Sequence, residues 1–536
     1  MKEIFDRYTV ILWIFCIIGL IIFVGHYNDV LIDFGREVYY PEQILNGKVL
    51  FKDLFNIYGP LSYQINALLY KIFGAKLLTL YITGSICAVT IVSLVYKIAE
   101  KFLSKFLSFA IAFYTMVIGI WTTSIFNFHF PYSWAVLYGL IAFLSSLCLL
   151  LKFDELKQSK YLVWSAFLAG MCVTFKYDFL LYSFVIMFFS LKNKNIKALL
   201  SFFIAPLISF GILFLQGLRI NDILNSFLIV SSMTKSETLK YFYQNSGVYF
   251  HPKALLTDLS LFIKFGLIFG LFMLGARLFE NKKVFAVIFM IISCILAVLL
   301  FSKNYIFGFL PILTAVLAVT CFKKFDSKLF VLTVSALFIC AKVFWVLLIG
   351  SYGTYYVSIL LIACAAIIFN CVPKKFEKFT GVFLVFISCF ILINGLMQYT
   401  KTIYPISSQK GTIYTQPDIS KSTNELLEYS SALPDGDMVI FPEGMMINFM
   451  TGRKSDDFYN SLLPLYAESF GEKSIVAHFE KTKPQYIVLN NQDMKDYYYS
   501  FICDDYGFEF CTFVRDNYTL INVIDNNFRY LIFALY

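Results

Sequence analysis

The chain has 536 residues, of which 59% are hydrophobic, 19% aromatic and only 15% charged. Soluble domains carry about 25% charged residues, so a large soluble enzyme is excluded and a polytopic membrane protein is indicated. The formal net charge of +9 does not point to nucleic acid: Lys and Arg fall in short clusters between apolar runs, with no basic domain or tail.

Residues 1–7 carry Lys2 and Arg7, and an apolar run follows from Thr9 to Val24. No small-x-small cleavage site follows it, so it reads as an uncleaved first span. Further apolar runs lie near 76–96, 106–122, 133–151, 161–175, 179–191, 198–217, 257–276, 284–301, 307–322, 329–349, 355–371 and 380–397. At the length needed to cross roughly 30 Å of hydrocarbon, they predict about thirteen transmembrane helices. An isolated segment can satisfy its backbone in lipid only as a helix.

Cytoplasmic connections retain Lys and Arg, and the loops alternate accordingly. Clusters such as Lys97, Lys101 and Lys105, or Lys192, Lys194 and Lys197, mark one side. The short loops of the other side hold no Lys or Arg at 123–132 and 350–354, Lys176 alone at 176–178, and Lys303 alone near 302–306. The expected orientation is N-terminus cytoplasmic and C-terminus outside, in a bacterial plasma membrane to judge from the abundance of Phe, Tyr, Ile, Lys and Asn, which suggests an AT-rich genome.

Two connections on the outer side are long: 25–75 and 218–256. Loops of this length usually carry function or elements of their own. In the first, Pro60 can open a helix and Gly74 close it. Leu61, Ile65, Leu68, Leu69 and Ile72 share one face, which predicts an amphipathic helix at the interface. The second, with Arg219, Lys235 and Lys240, has a weaker pattern and is expected to be mobile. Residues 1–400 thus form the membrane domain. From about Lys401, β-rich runs at 438–441, 486–489 and 520–524 alternate with helical patterns near 423–431, 457–469 and 472–481. This predicts a small extracytoplasmic α/β domain over 401–536. Ten of the twelve cysteines sit in apolar runs as small hydrophobes, whereas Cys503 and Cys511 lie in a polar region where a disulfide can form.

The residues suited to chemistry cluster after the first span: Asp29, Asp33, Arg36 and Glu37. A carboxylate at the hydrocarbon boundary is partly desolvated, which strengthens it as a base. A neighbouring guanidinium suits bidentate phosphate binding. Solvated interfacial charge is the plain alternative. Lys176, in Phe175-Lys176-Tyr177-Asp178, sits where charge is expensive and reads either as functional or as the ion-pair partner of Asp178.

The run Asp33-Phe34-Gly35-Arg36-Glu37, followed by Asn46-Gly47-Lys48, Asp53 and Tyr58-Gly59-Pro60-Leu61-Ser62-Tyr63, resembles the first outer loop of GT-C fold glycosyltransferases. The branch it is most similar to is that of the bacterial protein O-mannosyltransferases and aminoarabinose transferases. Phe441-Pro442-Glu443-Gly444, with Ile447-Asn448-Phe449 and Thr451-Gly452-Arg453, resembles a segment after the last span of some bacterial members. The resemblance implies a polyprenyl-phosphate-linked sugar as donor and a lipid, glycan or protein acceptor. It implies Asp33 as general base in an inverting transfer. A departing phosphate calls for cations near the outer interface, and Arg36, then Lys176, are the candidates to bind it. Glu37, Asp53, Tyr58, His129, Asp178 and Arg219 are the expected acceptor-side or supporting residues.

Metal-dependent members of the wider fold carry a second acidic motif in a later outer loop. Here 123–132 holds no carboxylate, so no cofactor and no obligatory divalent metal is expected. His129, alone among aromatics, reads more readily as a structural residue than as a ligand. Glu443 and Arg453 form a structural pair or bind acceptor, and His478 is surface or core filler. The competing classes are a lipid flippase or transporter, an O-antigen ligase or polymerase, and a non-catalytic scaffold. A flippase would place ionisable groups near the midplane in repeated halves, and no repeat is found.

Overall fold

The computed structural model describes residues 6–248, 250–300, 306–456 and 458–536; Lys2 and Lys303 lie outside them. Every apolar run marked in the sequence holds a helix. Among the described residues five helices are long and apolar enough to cross a membrane by length and composition, Leu77–Ala99 and Trp134–Leu156 among them, with shorter apolar helices between. The chain is a mostly helical, multi-pass membrane protein with a small C-terminal sheet.

The run 329–349 is helical only over Ser327–Ile339. A short 3-10 turn, Ala341–Val343, follows and delivers Lys342 to the end of the bundle rather than leaving it in mid-span. The connections with few basic residues meet at that end. Asn28 N–H donates to Thr123 O at 3.0 Å, and Tyr355 O–H to Asn127 O at 3.3 Å. The Lys-rich connections meet one another elsewhere, through Lys101–Glu155 at 2.9 Å and Lys328–Glu155 at 3.2 Å.

The first long loop contains two helices. The expected one is Leu61–Phe73, with Pro60 before it and Gly74 closing it at φ 90°. Its polar and small residues Ser62, Tyr63, Asn66 and Ala67 face inward, while Leu68, Ile72 and Phe73 are exposed, as an apolar face turned to lipid would be. The other, Phe34–Leu45, contradicts local propensity, since both Gly35 and Pro41 disfavour helix. Packing decides it. A Cβ on Gly35 would fall 2.4 Å from the backbone nitrogen of Met446, on the short Met445–Thr451 helix of the tail.

The second long loop, expected to be mobile, is two packed helices, Ile220–Met233 and Glu237–Asn245. Met233 and Leu239 are buried with Phe55 of the first loop and packed against Phe458 and Phe470 of the tail.

In the tail, β1 (Tyr404–Ser408) and β2 (Gly411–Thr415) form an antiparallel hairpin. A second sheet joins β3 (Met438–Phe441), β4 (Tyr486–Asn490), β5 (Tyr518–Asp525) and β6 (Arg529–Leu535) in the order β3-β4-β6-β5. The pair β3 and β4 is parallel and buried throughout, which suits their uninterrupted apolar sequences. The helix expected over 457–469 shortens to Pro464–Phe470, opened by its proline, with Asp457 outside the described residues. Cys503 and Cys511 form a disulfide.

The tail is built onto the bundle. Tyr27 N–H donates to Tyr414 O at 3.0 Å, Leu77 N–H to Lys410 O at 2.9 Å, and Lys410 pairs with Glu42. One hydrophobic core runs from the membrane helices through Met445 and Phe449 to β4. Gly35→Ala is expected to lower stability by about 1–3 kcal/mol, because it overpacks a backbone contact that cannot yield. Thermal unfolding in detergent checks this, with Gly211→Ala, in a helix with open space at the added Cβ, as comparison for backbone effects alone.

Candidate active site

Asp33 immediately precedes the Phe34–Leu45 helix at φ 63° and ψ −46°, and Phe34 N–H donates to Ile32 O at 2.7 Å across it, a γ-turn of the rare, strained positive-φ form. Its backbone N–H is accepted by Glu443 Oε1 at 3.1 Å, so a carboxylate from the tail holds the turn. One helical turn on, Arg36 Nη2 donates to Asp33 Oδ1 at 3.0 Å and Nε to Glu37 Oε1 at 3.3 Å. The guanidinium lies over the Tyr58 ring at 5.3 Å. Glu37 is fully buried and saturated: Tyr63 O–H donates to Oε1 at 2.8 Å and Trp134 N–H to Oε2 at 2.9 Å. Glu37 therefore fixes Arg36, while Asp33, with 26% of its side chain exposed, faces the cavity.

The second charged cluster comes from two other connections. Lys176 Nζ donates to Tyr132 O–H oxygen at 2.5 Å and lies 3.5 Å from Asp178 Oδ2. Lys342 Nζ approaches the same oxygen at 3.6 Å and sits 4.0 Å over the Tyr352 ring. Lys176 is also 4.8 Å from the centre of Tyr58. Tyrosine faces thus stand in for water around desolvated cations. Gly59 makes this junction possible: its N–H donates to Phe175 O at 3.0 Å, and a Cβ there would lie 1.9 Å from Thr174 O.

These groups line one cavity of about 400 Å3, with Asp29, Asp33, Arg36, Lys176, Asp178 and Lys342 in its wall. Burial pushes the Asp33 carboxyl above its ordinary range, against the pull of Arg36 and Lys176. Burial pushes Lys176 down to about 8, partly offset by Asp178. Burial pushes Asp178 up, but Lys342 and Lys176 outweigh it and hold that carboxylate below its ordinary value. Burial, then the charge of Asp33, raises Glu443 to about 8. Among the described residues, no group of three His, Cys, Asp or Glu is arranged to hold a metal ion.

Of the expected site residues, Asp33, Arg36, Tyr58, Lys176 and Asp178 come together, with Glu37 directly behind. Three do not reach the cavity. Asp53 accepts the Val49 N–H at 2.8 Å and ties its own loop. Arg219 is exposed at the start of the Ile220–Met233 helix. His129 is buried, with Nδ1 3.0 Å from the Tyr27 hydroxyl, and desolvation pushes it down to about 3, leaving it neutral. Glu443 and Arg453 do not pair; Arg453 donates to the carbonyls of Ser430, Leu433, Pro434 and Gly436. His478 lies 2.5 Å from Asp456 rather than standing idle at the surface. Lys342 was hidden in a run assigned as a span; a lysine inside such a run was its signal.

No family model and no curated protein matches the chain. Among solved structures it is similar to the oligosaccharyltransferase of Archaeoglobus fulgidus in complex with Zn and sulfate, at 13% identity and a TM-score of 0.46, over 90% of this chain and 68% of that one. It is also similar to ArnT from Cupriavidus metallidurans bound to undecaprenyl phosphate, at 10% identity and a TM-score of 0.44, over 98% and 97% of the two chains. Both are GT-C fold glycosyltransferases, the superfamily that the first-loop motifs resemble. The likeness is remote, and the case for function lies in this chain's own residues.

The two carboxylates beside Arg36 are expected to separate experimentally. Glu37→Gln removes the buried partner of a buried cation and should cost about 3–5 kcal/mol. Asp33→Asn, at the cavity surface, should cost about 1 kcal/mol or less. Thermal unfolding in detergent reads both; equal losses would contradict the division between anchor and cavity group.

Proposed function

We propose that the protein is an integral membrane glycosyltransferase. It moves a sugar from a polyprenyl-phosphate donor to a hydroxyl of an envelope lipid, glycan or protein, with inversion, on the outer face of a bacterial plasma membrane. The observation that carries this reading is the meeting, in one cavity, of the Asp33 carboxylate with Arg36, Lys176 and Lys342. A base needs a pKa raised toward working pH, and cations poised for a developing phosphate charge supply the other half of the reaction.

In the proposed step the acceptor oxygen bonds to the anomeric carbon as its proton passes to Asp33. The bond from that carbon to the phosphate oxygen breaks on the opposite face, and its electron pair leaves with the polyprenyl phosphate. Lys176 and Lys342 meet the new charge, and Arg36 keeps Asp33 ionised until the proton arrives. Val230 and Met233 of the Ile220–Met233 helix line the cavity, and Leu224, Phe227 and Leu228 of that helix are exposed. This helix would let an isoprenoid tail enter from lipid. The Lys-rich connections face the cytoplasm, so the cavity and the tail 401–536 lie outside.

The test is transfer from a polyprenyl-phosphate sugar in nanodiscs. Asp33→Asn is expected to lower kcat by about 10²–10⁴-fold with donor binding retained; wild-type turnover in this variant would remove Asp33 from the mechanism. The pH profile follows from the same groups. Lys176 is charged below about pH 8 and loses its charge above it, so the donor KM should be flat at neutral pH and climb on the alkaline side. Lys176→Arg should abolish that climb. On the acid side, kcat should fall as Asp33 takes up a proton at its raised pKa.

A further inference from the structure

Beside the catalytic cavity lies a second cleft of about 280 Å3, between the Glu237–Asn245 helix and the turn at Lys495–Tyr497. Its wall is formed by Tyr241, Tyr497, Tyr498 and Tyr499, with Thr238 and Gln244 between them. That volume is near the lower end of small-ligand sites, roughly 300–1,000 Å3.

Two features set this cleft apart from ordinary surface. Tyr498 has φ 74° and is 74% exposed. A bulky residue in the left-handed region is strained, and here that strain is not offset by burying the ring. The backbone displays Tyr498 to solvent, edge-on to Tyr241 at 5.3 Å. The second feature is adjacency to the reaction cavity. Tyr497 lines both spaces, and its stack with Phe242, at 5.0 Å and 10° between planes, forms the partition.

Flat aromatic faces with polar groups at their edges complement a pyranose ring. In such a complex the C–H face of the sugar would cover a tyrosine face, and its equatorial hydroxyls would meet Gln244 and the Glu237–Lys240 ion pair at the rim. An isoprenoid has no hydroxyls to use these groups, and a phosphate has no apolar face to cover the rings. We propose that this cleft is a subsite for a glycan acceptor, which holds the sugar units next to the hydroxyl presented to Asp33 beyond the Phe242–Tyr497 stack. The assignment deepens the transferase reading and rests on it for the direction of the chemistry.

The full-length protein in nanodiscs is applied to an array of bacterial envelope oligosaccharides and unglycosylated envelope peptides. Wild type and Asp33→Asn should retain the same glycans, and Tyr498→Phe should keep them, because the ring face and not the hydroxyl does the holding. The Tyr241→Ala/Tyr498→Ala double variant should lose at least tenfold in signal at unchanged thermal unfolding. Retention of no glycan by wild type, retention of peptides in their place, or indifference to the double change would overturn the subsite. Acceptor-independent hydrolysis of a polyprenyl-phosphate sugar separates the two readings. The double variant should hydrolyse the donor like wild type, and a loss there would overturn an acceptor-only cleft. Absence of hydrolysis and of transfer in wild type would instead sink the transferase reading, leaving the array to judge the cleft.

Discussion

The structure of the site depends on one buried guanidinium. Arg36 is only 7% exposed, and arginine does not give up its proton inside a protein. A buried cation costs several kcal/mol unless it is paired with good geometry. Glu37 supplies the pair, but a buried carboxylate needs donors of its own. It takes them from Tyr63 on the Leu61–Phe73 helix and from the backbone at Trp134. Neutralising Arg36 therefore ties the two helices of the first long loop to each other and to the start of the Trp134–Leu156 helix. Because Glu37 does the anchoring, Asp33 can touch the same guanidinium and still present an edge to the cavity.

Asp178 repeats that arrangement with the signs exchanged, one carboxylate serving Lys176 and Lys342. The tyrosines around them contribute ring faces instead of water. A site of this kind has its cations paired with carboxylates before any ligand arrives. The phosphodiester of a lipid-linked sugar would enter as a monoanion, and the second charge that develops as the phosphate departs would meet buried cations, where electrostatic contacts are stronger than in water.

Much of this was legible in the chain, and the failures have physical causes. Apolar runs and the asymmetry of Lys between loops located the helices because hydrocarbon imposes length and charge rules on each segment separately. The Asp33–Glu37 and Tyr58–Tyr63 motifs were legible as chemistry, yet their glycines speak only in three dimensions. Gly35 and Gly59 are needed because backbone from residues 446 and 174 passes against them. The Phe34–Leu45 helix was invisible because its stability comes from that packing and not from its propensity. Asp53 was grouped with the site by loop alone, and a loop of 51 residues in 25–75 can place neighbours in sequence far apart in space; Arg219 and His129 were grouped with it only because their own loops were assigned to the same side. In the tail, β6 went unread although Asn526-Asn527, with Asn527 at φ 70°, makes the turn before it.

The tail is half of the site rather than an appendage to it. Glu443, 3% exposed, reaches across to the Asp33 N–H, and Tyr466 and Tyr497 close the cavity from the same side. Two carboxylates this close repel in a dry site, and the one with fewer cationic neighbours takes the proton. Asp33 has Arg36 in contact and Lys176 nearby, whereas Glu443 is pushed up to about 8 by burial and by Asp33 itself. Burial therefore favours the protonated form of Glu443, while Arg36 and Lys176 pull Asp33 the other way. A protonated Glu443 still accepts the Asp33 N–H at Oε1 and holds the strained turn, and adds no second negative charge to a cavity proposed to receive a phosphate. A fold that needs one ionised carboxylate at that spot can use a second to position it only if the second stays neutral, and the docking of the tail creates the burial that keeps it so.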